Sequence, residues 1–124
     1  MRSLLTFRQT LENALERKDP LVLATTLEVE RCVQLLSTSS HPVVFLGGEM
    51  SRAEVESAIR GGECGTVYVS KDLYLWLDGG VWTAALKEMM TLLESTESAF
   101  WLVGYGVGIP ATLQRDIIRI NLPL

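Results

Sequence analysis

The chain has 124 residues, 48% hydrophobic and 21% charged, with both kinds mixed along the whole length. That length suits a single domain spanning residues 1–124 with one core, and the mixing leaves no stretch composed like a disordered segment or a long linker. Eleven Lys and Arg against fifteen Asp and Glu give a net charge of −4, which argues against a nucleic-acid partner because phosphate binding draws on a cationic surface.

Leu4, Phe7, Leu11, Ala14 and Leu15 recur at helical spacing and predict a helix over Ser3 to Arg17, stopped by Pro20. Leu21 to Ala24 is a short apolar strand. Thr25 and Glu28 then have the form of a capping box, opening a second helix that buries Val29, Cys32, Val33 and Leu36. Val43 to Leu46 is a continuous apolar run, the pattern of a strand covered on both faces. Gly47 and Gly48 end it, and Ser51 with Glu54 repeats the capping-box pattern ahead of a helix closed by Gly61-Gly62.

Thr66 to Ser70 reads as the next strand. Lys71-Asp72 leads into Leu73 to Leu77, where Leu73, Leu75 and Leu77 alternate with Tyr74 and Trp76, so a hairpin is expected. After Asp78-Gly79-Gly80 the longest helix runs from Val81 to Glu94, with Trp82, Leu86, Met89 and Leu93 as its stripe and Ala85 and Met90 widening it. Ala99 to Val103 is another buried strand. In Asp116 to Leu122, Ile118, Ile120 and Leu122 alternate with Ile117, Arg119 and Asn121, as in an edge strand with one wet face.

Alternating strands and helices predict an α/β fold of three layers: a mostly parallel sheet with helices on both faces, an N-terminal helix, one hairpin and a C-terminal edge strand. The hairpin and the last strand are the expected antiparallel additions. The uncharged stretches Cys32 to Gly48 and Ser98 to Gln114 are interrupted by turn residues and fall short of the ~20 apolar residues of a membrane span, so no membrane is expected. Cys32 and Cys64 are too few for a disulfide framework, and Arg8 and Glu12 interrupt any signal-peptide core. Reduced thiols and a cytoplasmic location are the expectation.

Catalytic chemistry finds little to work with. His41 is the single histidine, no metal-ligand spacing is present, and neither a Gly-x-Ser-x-Gly elbow nor a Gly-x-x-x-x-Gly-Lys-Ser/Thr loop occurs. The run Gly104-Tyr105-Gly106-Val107-Gly108 lacks the third glycine of a dinucleotide fingerprint at position 109, and Pro110 follows. No cofactor or metal is expected, and catalytic residues are left unassigned. Whether the chain is an enzyme stays open.

Two surfaces can carry function. In a parallel sheet the carboxyl ends of the strands share one rim, and here they read Thr25, Gly47-Gly48-Glu49, Ser70-Lys71-Asp72 and Gly104-Tyr105-Gly106. Small residues there admit a ligand to the backbone; the helix begun at Ser51 and the charge of Lys71 favour an anion. The other surface is apolar: Tyr74 and Trp76 on the hairpin, and Ile118 and Ile120 on the edge strand, suit a protein partner. The leading expectation is an interaction or regulatory module that self-associates or docks into a larger assembly. The alternative is a small-ligand-binding or enzymatic Rossmann-like domain with its site on the rim.

Overall fold

The computed structural model of the chain describes residues 6–47, 50–71, 76–77, 80–106 and 108–122, without the side chains of 80–82. Its elements in order are α1 (Phe7–Arg17), β1 (Leu21–Thr25), α2 (Val29–Ser37), β2 (Val43–Phe45), α3 (Arg52–Gly61), β3 (Val67–Ser70), α4 (Gly80–Ser95), β4 (Ala99–Gly104), a 3-10 turn (Ala111–Leu113) and β5 (Ile118–Asn121). The strands form one sheet in the order β2-β3-β4-β1-β5. Each of its pairings is parallel. Among the described residues no helix is long and apolar enough to cross a membrane.

Side chains leave each strand alternately to the two faces, and the core divides accordingly. Leu21, Leu23, Tyr68, Phe100 and Leu102 pack with Val55 and Ile59 of α3, Leu86, Met89 and Leu93 of α4, and Leu113 of the 3-10 turn. Val22, Ala24, Val67, Val69, Trp101 and Val103 pack on the other face with Phe7, Leu11, Ala14 and Leu15 of α1 and Cys32 and Leu36 of α2. The expected three layers are therefore present. So are the helical stripes wherever their side chains are described.

Several expectations change. The first helix starts at Phe7 and not at Ser3, because Thr6 is extended and caps it: the Thr6 hydroxyl accepts from the Gln9 amide and the Gln9 side chain accepts from the Thr6 amide. The capping box expected at Thr25 and Glu28 does not form. Thr25 stays in β1, paired with Gly104 and Asn121 on either side, and the next hydroxyl, that of Thr26, accepts from the Glu28 amide at 2.9 Å. Ser51 and Glu54 do form their box.

The two sheet edges correct the sequence reading most. β2 pairs only with β3, and Val44 and Phe45 are exposed; an apolar run of this length has the same composition at an edge as in a sheet centre. β5 is an edge as expected, yet it lies parallel to β1 and is no antiparallel addition. The connection through the 3-10 turn carries the chain back across the sheet before β5 begins. Of the expected hairpin, residues 72–75 lie outside the described residues. Trp76 and Leu77, assigned to its second strand, are helical.

A crevice at the topological switch point

The site follows from how β1 and β4 leave the sheet. These neighbouring strands pair in register from Leu21 and Phe100 to Thr25 and Gly104. Beyond Thr25 the chain enters α2 on one face; beyond Gly104 it enters the 3-10 turn on the other. Where connections from adjacent parallel strands part in this way a crevice opens at their carboxyl ends, the usual ligand position in open α/β sheets.

A crevice of about 180 Å³ lies there, lined by Thr25, Thr26, Leu27, Tyr105, Asn121 and Leu122. Its base is tied by sheet-like bonds: the Thr26 amide donates to the Gly104 carbonyl at 2.9 Å and the Leu122 amide to the Thr25 carbonyl at 3.0 Å. Two large side chains stand out into solvent on its walls, Leu27 at 64% and Tyr105 at 63% exposure. Gly106, two residues beyond β4, has φ +89°, a conformation that suits glycine.

All described rim residues do lie at the carboxyl edge, but strand order spreads them out. Between the ends of β2 and β1 stand β3 and β4, so Gly47 is three strand spacings from Thr25, about 14 Å at ~4.8 Å per spacing. Thr25, Gly104 and Tyr105 come together at the crevice, with Gly106 just beyond. Gly48, Glu49 and Asp72 lie outside the described residues. Ser70 is buried, its hydroxyl accepting from the Trp76 indole at 2.9 Å. Ser51 is committed to its own helix.

The charges do not favour an anion. Lys71 pairs with Glu30 at 3.1 Å, both side chains more than half exposed. The first turns of α2 carry Glu28 and Glu30, and Glu54 occupies the start of α3. At α3 the Glu54 carboxylate closes the capping box, and at α2 Glu28 pairs with Arg31 and Glu30 with Lys71, so the charges beside these helix starts are already matched. The β1–α2 connection, Thr26 to Glu28, contains no glycine and no lysine.

The chain's fold is similar to that of a variant of RuvB from Thermotoga maritima, with a TM-score of 0.57 and 16% identity. The match covers 92% of this chain and 42% of that one, so this chain spans less than half the length of the protein it resembles. That likeness is one of fold. No protein-family model matches the chain, and no curated protein matches it.

The apolar surfaces assigned from sequence divide as well. Trp76 is fully buried, edge-on to Phe100 with centroids 4.9 Å apart, and Trp101 is buried on the other face. Trp76 is therefore core and not a partner-facing side chain, because it lies in a helical segment over the sheet and not on a free hairpin. Tyr74 lies outside the described residues. Ile118 is exposed at the β5 edge, whereas Ile120 points into the core.

Sequence reasoning missed Leu27, Asn121 and Leu122. Asn121 was findable in principle: had β5 been placed parallel to β1, its carboxyl end would have fallen on the same rim. Among the described residues no cluster of His, Cys, Asp and Glu could hold a metal ion.

Proposed function

We propose that this chain binds a small, neutral, planar ligand in the crevice between β1 and β4. The observation that carries the reading is the lining at the switch point: an exposed aromatic ring and an exposed leucine flank a polar pair, Thr25 and Asn121. Tyr105 offers a face for a ring to stack on, Leu27 an apolar wall, and the threonine hydroxyl and asparagine carboxamide orient the ligand by hydrogen bonds. The acidic first turn of α2 and the engaged Lys71 disfavour a phosphate.

Benzamide, a planar ring bearing one amide, is a suitable probe, with inorganic phosphate as the anionic comparison. At ten times its dissociation constant benzamide is expected to stabilise the fold by about 1.4 kcal/mol. That corresponds to a rise in melting temperature of roughly 4–6 °C, which Tyr105→Ala abolishes. Stabilisation by phosphate with none by benzamide overturns the reading.

A second reading, self-association, is favoured by the β2 edge, which leaves Phe45 52% exposed and contains no charged residue from Pro42 to Gly47. Sedimentation velocity checks it: a concentration-dependent dimer suppressed by Phe45→Lys supports it, and a monomer throughout the millimolar range excludes it.

A further inference from the structure

The amino-terminal end of the sheet, opposite the crevice, holds a cavity of about 100 Å³. Its apolar lining comes from Ala14, Leu15, Val67, Ala99 and Trp101, all buried, with the buried Thr66 and Ser98 beside them. Lys18, Asp19 and Glu97 bring charge to its lining, and His41 contributes an imidazole. Helices in this fold run antiparallel to the strands, so their C-termini gather at this end. Lys18 is the C-cap of α1, and the Glu97 amide closes α4 by donating to the Glu94 carbonyl at 3.1 Å.

The charged groups are mostly uncommitted. Asp19 accepts from Arg17 at 3.3 Å, whereas the side chains of Lys18, His41 and Glu97 have no hydrogen-bond or ion-pair partner among the described residues. The cavity therefore joins an apolar pit to charged groups of both signs. A simple anion would meet Glu97 and two helix C-termini, which favour cations. A simple cation would meet Lys18. A neutral hydrocarbon would leave both signs unused.

Size narrows the class further. A cavity of ~150 Å³ accepts benzene, with its six heavy atoms, so this one takes about four, the branch of a short aliphatic side chain with its Cα. We propose that this cavity binds a free α-amino acid with a short aliphatic side chain. The side chain fills the pit, the carboxylate meets Lys18, and the ammonium meets Glu97 and the helix C-termini. The proposal is independent of the crevice.

L-Valine is the probe, followed through the Trp101 indole resonances of the full chain by NMR. Two analogues each lack one charge: 3-methylbutanoate has no ammonium and 2-methylpropan-1-amine no carboxylate. Saturable shifts with valine are expected, with both analogues at least tenfold weaker and L-tryptophan, too large for the pit, without effect. Lys18→Gln and Glu97→Gln should each weaken valine at least tenfold, and since both side chains are exposed their melting temperatures should stay within a few degrees of the parent's. Absence of saturation by valine overturns the proposal, as does equal binding of either analogue or unchanged affinity in both variants.

Discussion

Gly62 ends α3 directly against a phenol. A Cβ at that position would overlap the Tyr68 hydroxyl, which itself reaches the Ala58 and Ile59 carbonyls at 3.4 Å. Gly62→Ala should therefore destabilise the fold by about 1–3 kcal/mol, the range for overpacking a filled site. In a Tyr68→Phe background the same change should cost clearly less, and urea melts of the four proteins measure the coupling. Gly62 was legible in the sequence as a helix stop. The phenol that makes it obligatory was not, because Tyr68 reaches it through the fold.

Cys32 is also a residue whose chemistry burial decides. It is fully buried on the sheet-facing side of α2, and desolvation pushes its thiol up to about 12. The unfolded chain releases this proton near ~8.5, while the folded chain holds it. Above that pH the unfolded state binds fewer protons, so this thiol's contribution to stability is intact below pH ~8.5. It falls by about 1.4 kcal/mol per pH unit until the folded thiol titrates. Melts from pH 8 to 11 should show a steeper loss for the parent than for Cys32→Ala. A thiol reagent at pH 8 should modify Cys64, which is exposed, and spare Cys32 until the protein unfolds.

Among the elements, helices were the most legible, and for local reasons. Their buried stripes need only the 3.6-residue period, and Ser51-x-x-Glu54 announces the start of α3. The start of α2 differs from the sequence expectation because two adjacent threonines compete for the same turn. Pairing on both sides holds Thr25 in the sheet, which leaves the cap-like bond to Thr26. Thr26→Val, which removes that acceptor at nearly constant shape, should cost about 1 kcal/mol. Thr25→Val should stay within about 0.5 kcal/mol in the apo protein. Denaturant midpoints compare the two directly.

Strand position was much less legible than strand existence. Val43 to Phe45 and Ala99 to Val103 are both apolar runs, yet the first is a half-exposed edge and the second a fully buried strand at the centre of the sheet. Nothing within either segment distinguishes them. Their difference lies in the number of neighbours, which is set by connections elsewhere. The direction of β5 was hidden for the same reason, since the residues between Gly104 and Ile118 read as an ordinary loop.

At the scale of the whole molecule, strand order turns a diffuse rim into a specific crevice. A parallel sheet alone gathers Thr25, Gly47, Ser70 and Tyr105 on one edge. The order β2-β3-β4-β1-β5 separates the first two by about 14 Å and brings Asn121 beside Thr25. It also places the parting of the two faces between β1 and β4. Charge follows the same logic: the cation expected to draw an anion, Lys71, is bound to Glu30 across the rim.

A backbone-amide NMR titration of the full chain with benzamide locates the ligand site directly. Binding in the crevice should give saturable shifts concentrated at Thr25, Thr26, Leu27, Tyr105, Asn121 and Leu122, lost in Tyr105→Ala. Shifts centred instead on β2, or at the amides following Gly47 and Ser51, would rule out the crevice as the site.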